Sequence, residues 1–218
     1  MGRMIELPSA TPIGAYLAEP AGTPRGGVVV IQEIFGVNAH IRDVADRFAA
    51  AGYSAIAPAL FDPVKPGVEL GYDADGLREG VALKNRISFE RALQDVAAAA
   101  RRVADAGKVG TVGFCWGGSI AYAAAIELAL PGVSYYGGSN TRFIDRPARA
   151  PLIFHYGLKD AHITAADRAA VAAANPDAPV YEYEADHGFN CDRRNSFDAP
   201  SATMAWQRTL AFLGEHVG

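Results

Sequence analysis

The feature that most restricts this chain is the regular alternation of short β-branched runs with amphipathic segments. Val28-Val29-Val30-Ile31 is an apolar run of the kind that is buried on both faces of a sheet. A helical pattern follows over 40–51, with Ile41, Val44, Ala45 and Phe48 on one face and Gly52 as its stop. The same rhythm predicts strands over 53–60, Val109–Phe114, 132–136, 151–156 and 180–184, and helices over 91–106, 119–129, 164–174 and 201–217. Strands that alternate with helices imply an α/β fold with a mainly parallel central sheet and helices on both faces. Residues 4–7 and 15–17 are expected to add an antiparallel edge pair. No repeat or linker interrupts the pattern, so 1–218 is expected to form a single domain. The exception is 61–75, FDPVKPGVELGYDAD, whose prolines and glycines leave no clear period. It reads as a long surface excursion, the kind of segment that serves as a lid or binding loop.

Composition narrows the function classes. Of the 218 residues, 50% are hydrophobic and 20% charged, which excludes a disordered chain. Lys and Arg number 20 against 24 Asp and Glu, a net charge of −4, and no basic block is present to neutralise phosphates. Nucleic acid is therefore not an expected partner. The opening MGRMIELPSATP has no apolar core of a secretory signal, and Glu6 stands where myristoylation wants Ser or Thr, so a cytoplasmic protein is expected. The uncharged stretch 109–126 contains Gly110, Gly113, Gly117 and Gly118 and has the length of a strand, turn and helix, so no membrane span is expected. Two cysteines make no disulfide framework. Neither a metal nor a cofactor is expected, and the chain is expected to be a monomer.

One of those cysteines sits where chemistry is expected. Val109–Phe114 runs directly into Cys115, giving Gly113-Phe114-Cys115-Trp116-Gly117-Gly118, a G-x-C-x-G pattern at a strand-to-helix turn. A nucleophile on such a turn needs small neighbours because strand and helix approach closely around it. The helix beginning beside it aims backbone N–H groups at the sulfur, which favours a thiolate and a developing oxyanion. The competing reading is a small buried thiol, which the flanking glycines disfavour. A phosphate-binding loop fails because Ser119 stands where Lys is required, and the spacing G-x-G-x-x-G is absent.

A thiol nucleophile needs a base, and the base an orienting acceptor. His40 opens a helix, His155 lies within a buried strand, His162 follows Asp160 in a loop and His216 is at the chain's end. His187 follows the last strand, on a loop that reaches the carboxyl edge of the sheet. Asp160 lies just beyond the preceding strand on that edge. Its rival Asp186, adjacent to His187 in an extended loop, points away from the ring. The order Cys115, Asp160, His187 matches nucleophile, acid and histidine in the α/β-hydrolase architecture.

These residues resemble the dienelactone hydrolase family of cysteine-dependent α/β-hydrolases. The similarity runs from Gln32-Glu33-Ile34-Phe35-Gly36-Val37-Asn38 through Gly113–Gly118, Tyr135-Tyr136-Gly137 and Asp160 to His187-Gly188-Phe189. The resemblance implies an α/β-hydrolase fold and a Cys115-His187-Asp160 triad that hydrolyses a small lactone or ester through a thioester, as in aromatic catabolism. It further implies an oxyanion hole from the Ile34 and Trp116 N–H groups, and a role for Glu33 in deprotonating the resting thiol. Phe35 and Tyr136 would line the substrate. Arg78 would bind the carboxylate of the family's substrate. Arg193 would be a displaced second cation, because Asn190-Cys191-Asp192 stand where the family's archetype has an arginine.

Overall fold

The computed structural model describes residues 1–8 and 11–218. Its strands are β1 (Arg3–Leu7), β2 (Ile13–Ala18), β3 (Gly27–Ile31), β4 (Ser54–Pro58), β5 (Val109–Phe114), β6 (Gly132–Tyr135), β7 (Leu152–Gly157) and β8 (Val180–Tyr183). Its helices are α1 (Ala39–Ala50), α2 (Ala74–Lys84), α3 (Phe89–Arg102), α4 (Trp116–Glu127), α5 (Ala165–Ala174) and α6 (Ala199–His216). The strands are ordered β1-β2-β4-β3-β5-β6-β7-β8 in a mixed sheet. Pairing is antiparallel for β1–β2 and β2–β4 and parallel for β3–β4, β6–β7 and β7–β8. The expected edge pair is therefore present, and strands alternate with helices as expected except that α2 is added before α3 between β4 and β5. None of the described helices is long and apolar enough to cross a membrane.

Contacts divide the chain into two compact units, Met1–Thr111 with Val217–Gly218, and Val112–His216. In the first, every residue of β3 and β4 is buried, which requires cover on both faces. Helix α1 packs its buried stripe of Ile41, Val44, Ala45 and Phe48 toward these strands, and Asn38 caps it by accepting the Ile41 N–H. In the second unit β6 and β7 are buried throughout. Every residue of α4 except Glu127 is buried as well, so its sequence shows no polar face.

The segment 61–75 is irregular and mostly at the surface over 61–73, as expected, and differs at its end. Its last two residues begin helix α2, which Asp73 caps through the Gly76 N–H at 2.7 Å. The remainder is fastened down: Gly36 and Glu69 form a β-bridge, the Leu70 N–H bonds to the Phe35 carbonyl, and Glu69 pairs with Arg42 at 2.6 Å. Gly76 and Gly80 lie inside α2 because a side chain at either would strike backbone. Their Cβ atoms would fall 2.1 Å from the carbonyl oxygens of Gly71 and Ile34, respectively.

Candidate active site

Strand β5 ends at Phe114 and α4 begins at Trp116, leaving Cys115 alone to make the turn, at φ 54° and ψ −114°. This left-handed conformation is costly for a residue with a side chain, about 1–3 kcal/mol. The surrounding backbone holds it: the Cys115 N–H bonds to the Tyr135 carbonyl at 3.0 Å, and the Cys115 carbonyl accepts from Gly118 at 3.0 Å. Gly113 is required, because a Cβ there would lie 1.9 Å from the Gly117 oxygen, and at Gly118 one would lie 2.5 Å from the Tyr135 oxygen. Strand and helix thus approach within backbone contact, with a half-buried thiol at the apex. Trp116 is the first residue of α4, where N–H groups have no acceptor within the helix.

The carboxylate and imidazole arrive on neighbouring loops. Parallel pairing of β7 with β8 continues beyond the strands, with Leu158 N–H bonded to Tyr183 O at 2.8 Å and Lys159 N–H to Ala185 O at 3.0 Å. Those bonds bring Asp160 Oδ2 to 2.6 Å from His187 Nδ1. The other Asp160 oxygen accepts the His162 N–H at 2.8 Å, which fixes the carboxylate plane. Asp186 instead accepts the backbone N–H of His187, a bond that orients the loop and not the ring.

Electrostatics follow from this placement. Burial works against charge on His187, but the Cys115 sulfur and the Asp160 carboxylate outweigh it through charge and hydrogen bonding, raising the imidazole to about 10. Burial pushes Asp160 up, and the hydrogen bond and charge of His187 more than reverse this, leaving it below the usual carboxylate value. The arrangement favours an imidazolium held between a sulfur and a carboxylate. With Nδ1 bonded to Asp160, the opposite ring nitrogen is the one available for proton exchange.

Around this centre, Tyr136 is buried with its ring 5.0 Å from that of His187. The exposed His162 ring, expected only as a loop residue, stands edge-on to His187 at 5.5 Å. Arg193 is exposed, whereas Arg194 packs its guanidinium against Gly188, 2.5 Å from where a Cβ would be. Cys191 is fully buried, and His155 is fully buried within β7.

In the first unit, Glu33 is fully buried, with Tyr72 donating its hydroxyl to Oε2 at 3.3 Å. Tyr72 also packs on Phe35, ring centroids 4.6 Å apart, and receives a bond from Asn38. It comes from the 61–75 segment, and no periodicity there marked it as a partner of Glu33. Ile34 and Phe35 are buried. Arg78 is on α2 with its side chain 76% exposed, paired with Asp75 one helical turn away at 2.9 Å.

The model of the dienelactone hydrolase family matches residues 13–217. A protein of Synechocystis named "Putative carboxymethylenebutenolidase" is 38% identical over 90% of this chain and 89% of its own. The carboxymethylenebutenolidase of Pseudomonas putida is 32% identical over 92% of this chain and 90% of its own. A crystal structure from Klebsiella pneumoniae described as a "Putative Dienelactone Hydrolase" superposes with a TM-score of 0.84 at 34% identity, covering 99% of both chains. The chain belongs to the dienelactone hydrolase family, with the α/β-hydrolase fold of that family.

Proposed function

We propose that the protein is a cysteine hydrolase that opens a small lactone of the dienelactone type, with Cys115 as nucleophile, His187 as acid and base, and Asp160 as the orienting carboxylate. The observation that carries this reading is the 2.6 Å contact of Asp160 with His187, whose ring is also hydrogen-bonded to Cys115. The thiolate attacks the lactone carbonyl carbon, and the π pair moves onto the carbonyl oxygen. The N–H groups of Trp116 and Ile34 are the donors that the family resemblance offers this oxyanion. Collapse breaks the ring C–O bond; the departing oxygen takes the imidazolium proton and the acyl group remains on sulfur. Neutral His187 then removes a proton from water, whose oxygen attacks the thioester and releases the thiolate and a carboxylic acid. The net change is one water added across one C–O bond.

Glu33 enters as the base for the resting thiol, the role given by the family, and its bond from Tyr72 holds it in one orientation. Arg78 is the proposed carboxylate reader, with Phe35 and Tyr136 as apolar lining. Its exposed pair with Asp75 is of the kind worth little, about 0–1 kcal/mol, so exchanging that carboxylate for the substrate's costs little.

A second reading, hydrolysis of small neutral esters or thioesters, is favoured by the exposure of both Arg78 and Arg193. Steady-state rates with a carboxylate-bearing dienelactone and with aryl esters separate the two, using Cys115→Ala as blank. A preference for the dienelactone by tenfold or more in kcat/KM supports the first reading, and equal rates support the second.

A further inference from the structure

The second unit carries a groove of about 860 Å³ at the amino-terminal ends of β7 and β8, the sheet edge opposite Cys115, Asp160 and His187. Its volume lies within the range of small-molecule sites. The wall is apolar, built from Pro147, Pro151, Leu152, Pro179 and Phe212, and Arg208 stands in it.

Arg208 is held in place from below. Its guanidinium lies 4.1 Å from the Tyr181 ring centroid, and Nη1 donates to the Tyr183 hydroxyl at 3.0 Å. Arginine has only donors, so Tyr183 must turn its own proton to His155 Nδ1, 2.8 Å away. His155 is neutral, its pKa lowered to about 3 by burial and by the charge of Arg208. Its Nε2–H then donates to Thr209 Oγ1 at 3.2 Å, and Thr209 shares a hydrogen bond with the Tyr135 hydroxyl at 2.7 Å. Arg208 is thus the outer end of an ordered, buried chain, not a loose surface side chain.

That chain uses one of the five guanidinium donors, and among the described residues no carboxylate pairs with Arg208. The other arginine of the groove, Arg149, is committed to the Ile126 and Glu127 carbonyls at the end of α4. Half-buried, stacked and without a counter-ion, Arg208 has its remaining donors available for bidentate binding of a carboxylate. Asp177 and Glu215 also border the groove and repel multiply charged anions.

We propose that this groove is a second ligand site, separate from the hydrolytic centre, for a monocarboxylate with a flat apolar body. The carboxylate sits on Arg208, and the apolar part lies along the proline wall.

The test is equilibrium binding of benzoate, with inorganic phosphate as comparison, followed by calorimetry and by amide shifts of the groove residues. Protein alkylated at Cys115 by iodoacetamide serves beside the untreated protein. Benzoate should bind both forms equally and shift groove amides, with Kd raised about tenfold or more in Arg208→Gln. Ala211→Trp, at an exposed position of α6 on the groove, fills the space while every residue of the buried chain stays unsubstituted, and should weaken binding similarly. Loss of binding on alkylation, unchanged Kd in both variants, or phosphate binding as tightly as benzoate would each overturn the proposal. Because Ala211→Trp removes neither Arg208 nor any of its partners, a folding defect in Arg208→Gln does not spare the proposal from that test.

Discussion

Lys159 donates its backbone N–H to the carbonyl of Ala185 at 3.0 Å, and this bond sets the spacing of the loops that carry Asp160 and His187. The imidazole receives its carboxylate from a neighbouring strand end, not from the adjacent Asp186. Substituting Asp160→Asn should therefore lower kcat/KM by about 10³–10⁴-fold, because the amide no longer stabilises the imidazolium or selects the tautomer. Asp186→Asn keeps an oxygen for the His187 N–H and should cost no more than a few-fold. Equal losses in the two variants would contradict the assignment.

His187 also makes a pH prediction whose sign is fixed. Its pKa is raised in the folded protein to about 10, so its contribution to stability is complete below the ordinary imidazole value and is lost as pH rises through about 10. Asp160 acts in the opposite direction: its depressed value contributes above the ordinary carboxylate range and is lost as pH falls below it. An NMR titration should find the His187 ring still protonated well above neutral pH. In Cys115→Ala the midpoint should move down, since the sulfur is the largest influence raising it. An unchanged midpoint would mean that the thiol and the imidazole are not coupled.

The turn at Cys115 predicts a stability difference between glycines. Gly113→Ala places a Cβ 1.9 Å from a carbonyl oxygen, while Gly138→Ala meets nothing within 4 Å. Thermal or urea unfolding should show Gly113→Ala destabilised by about 1–3 kcal/mol or more and Gly138→Ala nearly neutral. Similar stability for both would show that the strand and helix can separate at no cost.

Substrate choice tests Arg78. If it reads the substrate's carboxylate, Arg78→Ala should reduce kcat/KM for an acidic lactone by about 10- to 150-fold, the loss of a charge-assisted hydrogen bond of about 1.5–3 kcal/mol. The neutral methyl ester of the same lactone should be almost unaffected. Asp75→Asn, which releases Arg78 from its partner, should raise the rate on the acidic lactone. Identical behaviour of acid and ester in Arg78→Ala would assign the protein to general ester hydrolysis.

Which features were legible in the sequence follows a physical pattern. The sequence bounds of Val109–Phe114 agree with β5, because the uncharged segment is closed by Lys108 before it and by the Cys115 turn after it. The helical pattern of α4 reads only from 119, three residues late, because Gly117 and Gly118 look like turn residues although they occupy the first turn, whereas the Cys115 turn already implies a helix beginning at Trp116. Helix α2 is not legible in the sequence for a related reason. Gly76 and Gly80 weaken its local signal, and they are there for backbone contacts with Gly71 and Ile34 that leave no periodic trace. Its cap Asp73 was the available cue. The loop bonds that join Asp160 to His187, and the pairing of Tyr72 with Glu33, depend on tertiary placement, and spacing alone does not reveal them.

Turnover through a thioester requires Cys115 to carry the acyl group. Rapid quenching of the enzyme with an ester substrate, followed by peptide mass spectrometry, reads this directly. An acyl adduct on Cys115 is expected, with none on the buried Cys191 and no turnover in Cys115→Ala. An adduct on Cys191, or hydrolysis that survives in Cys115→Ala, would contradict it.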